Sequence, residues 1–157
     1  MMKLRISYLL AVLITLLVAL GGSWVTSYGM SWYETLKLPA WTPSGQIIGL
    51  AWTIIFILTA WSAILVLKLG RRHPNFWLAI VFFLINAVLN FGWSALFFGW
   101  HKIAYSFAEM IILLCNVLAL ITCTWPISRK ASLLLVPYAA WVIFATYLFW
   151  NVLLLNP

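Results

Sequence analysis

The chain has 157 residues, 66% of them hydrophobic and 7% charged, with a mean hydropathy of +1.10 and a formal net charge of +7. Lipid rather than water is the solvent for such a composition, which excludes a soluble globular domain. Positive-inside placement and anionic headgroups account for the charge, and no basic run is long enough for a nucleic-acid tail, so no nucleic-acid partner is expected.

Five apolar stretches are long enough to cross a hydrocarbon core of about 30 Å, which takes about 20 helical residues. They cover residues 6–28, 45–69, 76–99, 103–125 and 131–155. Helices are required because unpaired backbone groups cannot face lipid, and the runs lack the alternation of barrel strands. The expected architecture is all-α and integral to the membrane, a five-helix bundle forming one domain over 1–157 with a Trp-rich loop at 29–44.

In the first stretch, Lys3 and Arg5 precede an apolar run through Gly21, Gly22 and Ser23, as in a secretory signal. The run continues to Tyr28 without a small-residue cleavage pattern, so it reads as a spanning helix. The segment WYETLKLPAWTP, Trp32 to Pro43, follows. Trp32, Tyr33 and Trp41 offer flat faces with one polar edge each, while Pro39 and Pro43 remove backbone freedom, so the segment reads as a structured lid. An interfacial aromatic belt is the simpler alternative, although a belt does not need two prolines framing a Trp.

On the second stretch Trp52 and Phe56 are one turn apart. On the third, Asn86 and Asn90 are one turn apart and Trp93 and Phe97 continue their face, an amide and aromatic stripe. Ala95 and Gly99 form a small-xxx-small pair, the expected homodimer interface. The fourth stretch carries Glu109 and Asn116 on one face, and Glu109 is the only carboxylate within the five helices. Polar groups inside a membrane are expensive, which makes these residues functional candidates. The plainer alternatives are interhelical hydrogen bonds of about 0.6 kcal/mol each for the amides and a structural carboxyl for Glu109.

Cys115 and Cys123 lie about 12 Å apart along the same helix at its 1.5 Å rise per residue, too far for a disulfide. His73 and His101 sit in separate connections without partnering carboxylates or thiols, so no metal is expected. On the fifth stretch Pro137, Trp141, Phe144 and Leu148 share a face, with Pro137 expected to loosen or kink the helix beside Trp141. Flat rings can thus approach a central volume from the second, third and fifth helices.

Basic residues orient the chain. Lys3, Arg5, Lys68, Arg71, Arg72, Arg129 and Lys130 fall on one side, and only Lys37 and Lys102 on the other. The N-terminus is therefore expected to be cytoplasmic, in a bacterial inner membrane, with the Trp-rich loop on the opposite face.

Trp32 and Tyr33 with Leu36, Pro39, Trp41 and Pro43, then Trp52, resemble the first-loop signature of the TspO/translocator protein family, also called tryptophan-rich sensory proteins or peripheral benzodiazepine receptors. Asn90, Trp93, Phe97 and Phe98 are similar to its third-helix pattern, and Pro137, Tyr138, Trp141, Phe144 and Ala145 to its fifth. The resemblance spans essentially the whole chain. Asn86 stands where Gln is usual, Glu109 where Asp is usual and Phe149 where Asn is common. After Tyr147 there is no Lys or Arg, so the proposed cholesterol motif cannot be completed and sterol binding is disfavoured.

The resemblance implies a five-helix bundle, often dimeric, whose pocket beneath the first loop binds porphyrins such as protoporphyrin IX and benzodiazepine-type ligands. The expected ligand-binding residues are Trp32, Trp41, Trp52, Phe56, Asn86, Asn90, Trp93, Phe97, Glu109, Trp141 and Phe144. Trp faces would hold a tetrapyrrole ring, and amides or cations its edge. Light-dependent porphyrin degradation in the family makes Trp52 and Trp141 the candidate catalytic residues. No flavin, nucleotide or metal motif is present, so no cofactor is expected. A tetrapyrrole sensor or receptor is the favoured function. A porphyrin-oxidising enzyme is an alternative, as is a transporter, which lacks support from an inverted repeat or a coupling-ion site.

Overall fold

The computed structural model describes residues 2–157, and the side chains of residues 2–5, with Lys3 and Arg5 from the orientation argument, lie outside that description. Its helices are α1 (Met2–Tyr33), α2 (Gly45–Leu69), α3 (Phe76–Ser94), α4 (Ile103–Thr124), α5 (Arg129–Leu133) and α6 (Val136–Leu155), with a π-helical turn, Ala95–Gly99, continuing α3. Five spans are long and apolar enough to cross a membrane: Ile6–Tyr33, Gly45–Leu69, Phe76–Gly99, Ile103–Thr124 and Arg129–Leu155. The expected all-α membrane architecture is the observed one, with no strand among the described residues. Helix α1 packs on α2 and α3, α3 on α4, α4 on α6, and α5 and α6 on α2. The spans therefore close into a ring in the order α1, α2, α5–α6, α4, α3.

Three local expectations need correction. The first helix does not stop at residue 28, and the loop is 34–44 rather than 29–44. Helix α1 continues because Trp32 and Tyr33 pack edge-on against Phe97, with ring centroids 5.1 and 6.1 Å away. Gly29 permits that approach. A Cβ there would stand 2.7 Å from Phe98 Cβ and 2.8 Å from its Cα, closer than side chains pack.

The third helix does not stay α-helical to residue 99. In its π turn the Trp100 N–H donates to Ala95 O at 2.8 Å, five residues back. The wider turn brings both Phe97 and Phe98 into the core. His101 then ends the segment with φ at 57°, the left-handed region, where glycine is usual. Its ring stacks on Trp32 with centroids 4.2 Å apart and planes 16° from parallel.

The fifth span is interrupted rather than kinked at Pro137. Helix α5 ends at Leu133, α6 begins at Val136, and Pro137 sits in the first turn of α6, where its missing N–H breaks no helical bond. Ser128 caps α5 by accepting from Ala131 N, Ser62 Oγ donates to Ala131 O at 2.8 Å and Ser132 Oγ to Ile121 O at 2.7 Å. These bonds fix the break against α2 and α4. As a result Tyr138 enters the bundle at a set height, 1% exposed.

Candidate ligand-binding site

The centre of the bundle holds a polar network in apolar surroundings. Asn90 Nδ2 donates to the Tyr138 hydroxyl at 2.6 Å, to Asn86 O at 2.9 Å and to Asn86 Oδ1 at 3.1 Å. Asn86 Nδ2 donates to Asn116 Oδ1 at 2.9 Å and to the Tyr138 hydroxyl at 3.2 Å. Asn116 Nδ2 in turn donates to Phe82 O at 3.2 Å. The network joins α3, α4 and α6, and all four side chains are buried. A buried amide without partners costs about 1–3 kcal/mol, so these contacts hold three helices in one register.

Trp52 lies edge-on to Tyr138 at 6.1 Å and tilted against Phe56 at 5.7 Å. Phe56, Asn86 and Asn90 form one side of an apolar cavity of about 230 Å³ between α1, α2 and α3, faced by Leu10, Ile14 and Val18 of α1. Thr59 Oγ also faces it, buried and without a hydrogen-bond partner. The structure thus brings Trp52, Phe56, Asn86 and Asn90 together with Tyr138 and Asn116.

The other expected site residues fall into two further groups. Trp93 stacks on Phe97 at 5.4 Å, Trp32 meets Phe97 edge-on, and Phe149 fills the space edge-on to both Trp93 (5.0 Å) and Phe97 (4.7 Å). Phe149 therefore makes ring contacts where the family commonly has an amide. Trp41, which is exposed, lies on α6 instead, stacked on Tyr147 at 5.5 Å and edge-on to Phe144 at 6.0 Å, with Trp141 tilted on Phe144 at 5.4 Å. Glu109 is buried in α4, and both its carboxyl oxygens lack hydrogen-bond partners, as do the indole N–H groups of Trp93 and Trp141.

The loop is braced from both ends. The Thr42 N–H donates to Pro39 O at 3.0 Å, and the side chain of Asn156 holds the peptide of Lys37. Ala95 and Gly99 fall within the π turn. A Cβ at Gly99 would meet Val25 Cγ1 of α1 at 3.5 Å, so this small residue is used in packing within the chain.

Sequence reasoning named Asn116 as a polar candidate beside Glu109 and Tyr138 within the fifth-helix pattern, but counted neither among the ligand-binding residues. A signal for Asn116 existed, because Asn86 and Asn116 are equidistant along the chain from His101, the turn of a tight antiparallel helix pair. Tyr138 is signalled by its place directly after Pro137 and by the fifth-helix pattern it belongs to.

Five spanning helices around a buried amide and phenol network define an integral, multi-pass membrane protein with a polar centre set against an apolar cavity. The TspO/MBR family model matches residues 11–155, and the chain belongs to that family. It is 38% identical over 151 residues to the tryptophan-rich protein TspO of Chlorobaculum tepidum, covering 94% of this chain and 96% of that one. It is 29% identical to the tryptophan-rich sensory protein of Cereibacter sphaeroides (80% and 77% covered) and 26% identical to the translocator protein of Homo sapiens (82% and 76% covered).

Proposed function

We propose that this protein is a membrane sensor or receptor for flat tetrapyrroles such as protoporphyrin IX, regulating their level or a stress response. The carrying observation is the contact of the Asn86, Asn90 and Tyr138 network with both the Trp52 ring and the apolar cavity. A flat ring with polar edges needs an apolar wall with a few polar groups beside it. The name of the Cereibacter sphaeroides relative, a sensory protein, supports the sensor role.

Volume decides one further point. At about 230 Å³ the cavity is smaller than the roughly 300–1,000 Å³ of pockets for drug-sized ligands. The cavity is half open, so a tetrapyrrole bound there either extends out of it or moves α1 outward. Helix α1 is the element best able to move, since only 6% of its most apolar window is buried.

Equilibrium titration of the purified protein with protoporphyrin IX, read by Trp quenching, tests this reading. Saturable quenching that weakens in Asn90→Leu supports it. Linear, unsaturable quenching, as from partition into micelles, contradicts it. The place of Trp52 beside the network also favours a second reading, light-dependent oxidation of the bound ring by dissolved dioxygen, with Trp52 and Trp141 as the reactive indoles. Product analysis in light and dark separates the two.

The distribution of Lys and Arg supports a cytoplasmic N-terminus in a bacterial inner membrane. Labelling of single cysteines placed at Arg72 and at Thr35 by an impermeant thiol reagent tests that orientation in intact cells.

A further inference from the structure

At the loop end of the bundle, the end of α1, the α3–α4 connection and the end of α6 border a shallow, open basin of about 600 Å³. Lys37, His101 and Lys102 line it beside Trp32, Ile103 and Leu153. Positive charge is scarce at this end. Of the nine Lys and Arg residues in the chain, only Lys37 and Lys102 belong to the loop-end connections, and both open into this one basin. The two acidic side chains of the chain do not offset them there, and Pro157 shares the lining. Glu109 is buried within α4, and Glu34 is exposed outside the basin lining.

The shape of the basin narrows the class of ligand. The stacked rings of Trp32 and His101 make a flat, rigid wall, and His101 is held in its left-handed backbone conformation beside it. Lys102 is also the N-cap of α4, without a side-chain cap, so the positive end of that helix adds to the two ammonium groups. Ile103, Leu153 and Leu155 form the apolar part of the wall. Exposed Tyr105 also lines it, and exposed Leu154 continues this surface along α6. Because the basin is built from the ends of three membrane-spanning segments, it stands at the boundary between hydrocarbon and water. A soluble anion would use its cations and leave the apolar continuation empty.

We propose that the basin binds the phosphate headgroup of an anionic phospholipid, with Lys37 and Lys102 on the phosphate and an acyl chain descending beside Leu153. Cations near an anionic headgroup are attracted without needing a bidentate geometry, which suits lysine. The site is separate from the cavity between α1, α2 and α3 and does not rest on the tetrapyrrole reading.

Phosphatidylglycerol carrying a photoactivatable acyl chain, added to the full chain in phosphatidylcholine nanodiscs, tests the proposal. Crosslinks are mapped by peptide mass spectrometry. Labelling is expected to concentrate on Ile103–Tyr105 and Leu153–Leu155, and to fall about thirtyfold in the Lys37→Gln, Lys102→Gln double variant, the order expected for two cations at an anionic surface. Circular dichroism checks that helix content is unchanged. Equal labelling by a phosphatidylcholine probe overturns the proposal, as does labelling that survives the double variant. Displacement by millimolar inorganic phosphate would assign the basin to free phosphate and overturn the lipid assignment.

Discussion

Asn156 holds the peptide of Lys37 from both sides. The Lys37 N–H donates to Asn156 Oδ1 at 3.0 Å, and Asn156 Nδ2 donates to Lys37 O at 2.9 Å. The same Nδ2 donates to Val152 O at 2.8 Å, so the first loop is tied through one side chain to the last turn of α6. Asn156→Ala removes both loop bonds, each of about 0.5–1.5 kcal/mol. Amide exchange across residues 34–44 is expected to rise about tenfold or more while exchange within α3 and α4 is unchanged. Unchanged loop protection would mean that the turn at Pro39 and Thr42 holds the loop unaided.

Tyr138→Phe tests the network at the hydroxyl that both amides share. The hydroxyl accepts from both Asn86 and Asn90, and deleting it leaves a buried amide N–H short of an acceptor. A loss of about 1–3 kcal/mol of stability is expected, read as a lower midpoint of thermal unfolding in detergent. A midpoint equal to that of the wild type would show that the amides find other partners in the bundle.

Gly29 and Gly99 offer a controlled comparison of close packing. A Cβ at Gly29 meets the Phe98 backbone at 2.8 Å, whereas one at Gly99 meets only Val25 Cγ1 at 3.5 Å. Gly29→Ala is therefore expected to destabilise by about 1–3 kcal/mol, as overpacked core substitutions do, and Gly99→Ala to be near neutral. Equal midpoints for the two variants in thermal unfolding would contradict the α1 packing described here.

Trp52 and Trp41 separate the bundle site from the loop. Trp52 touches Tyr138, while Trp41 is exposed on Phe144 and Tyr147. Trp52→Leu is expected to weaken protoporphyrin binding by more than the roughly 0.5–1.5 kcal/mol of an aromatic pair beyond its area, and Trp41→Leu by less. The reverse order in equilibrium titrations would move the site beneath the loop.

Much of this was legible in the sequence where the cause is local. Apolar run length marked the five spans, and 3.6-residue spacing put Asn86, Asn90, Trp93 and Phe97 on one inward face. Contacts between helices were less accessible. Asn116 and Tyr138 join Asn86 and Asn90 only through register, which depends on the tight α3–α4 turn at His101 and on the break before Pro137. The π turn follows from a backbone bond between Trp100 and Ala95 that no residue pattern announces. Trp41 was read as part of a lid over the central volume, but the bracing of the loop by Asn156 and Pro39 leaves it on α6.

The central claim is that a flat tetrapyrrole occupies the cavity beside Asn86 and Asn90, and filling that cavity is its most direct test. Ala87 lines the cavity, whereas Val88, the next residue, points away and is 71% exposed. Protoporphyrin IX is titrated into the wild type, Ala87→Phe and Val88→Phe, with Trp quenching as the readout and circular dichroism as the control for folding. Saturable binding is expected in the wild type and Val88→Phe, with an affinity about tenfold weaker in Ala87→Phe, equivalent to about 1.4 kcal/mol. Equal affinity in all three proteins, or no saturation in the wild type, would contradict it.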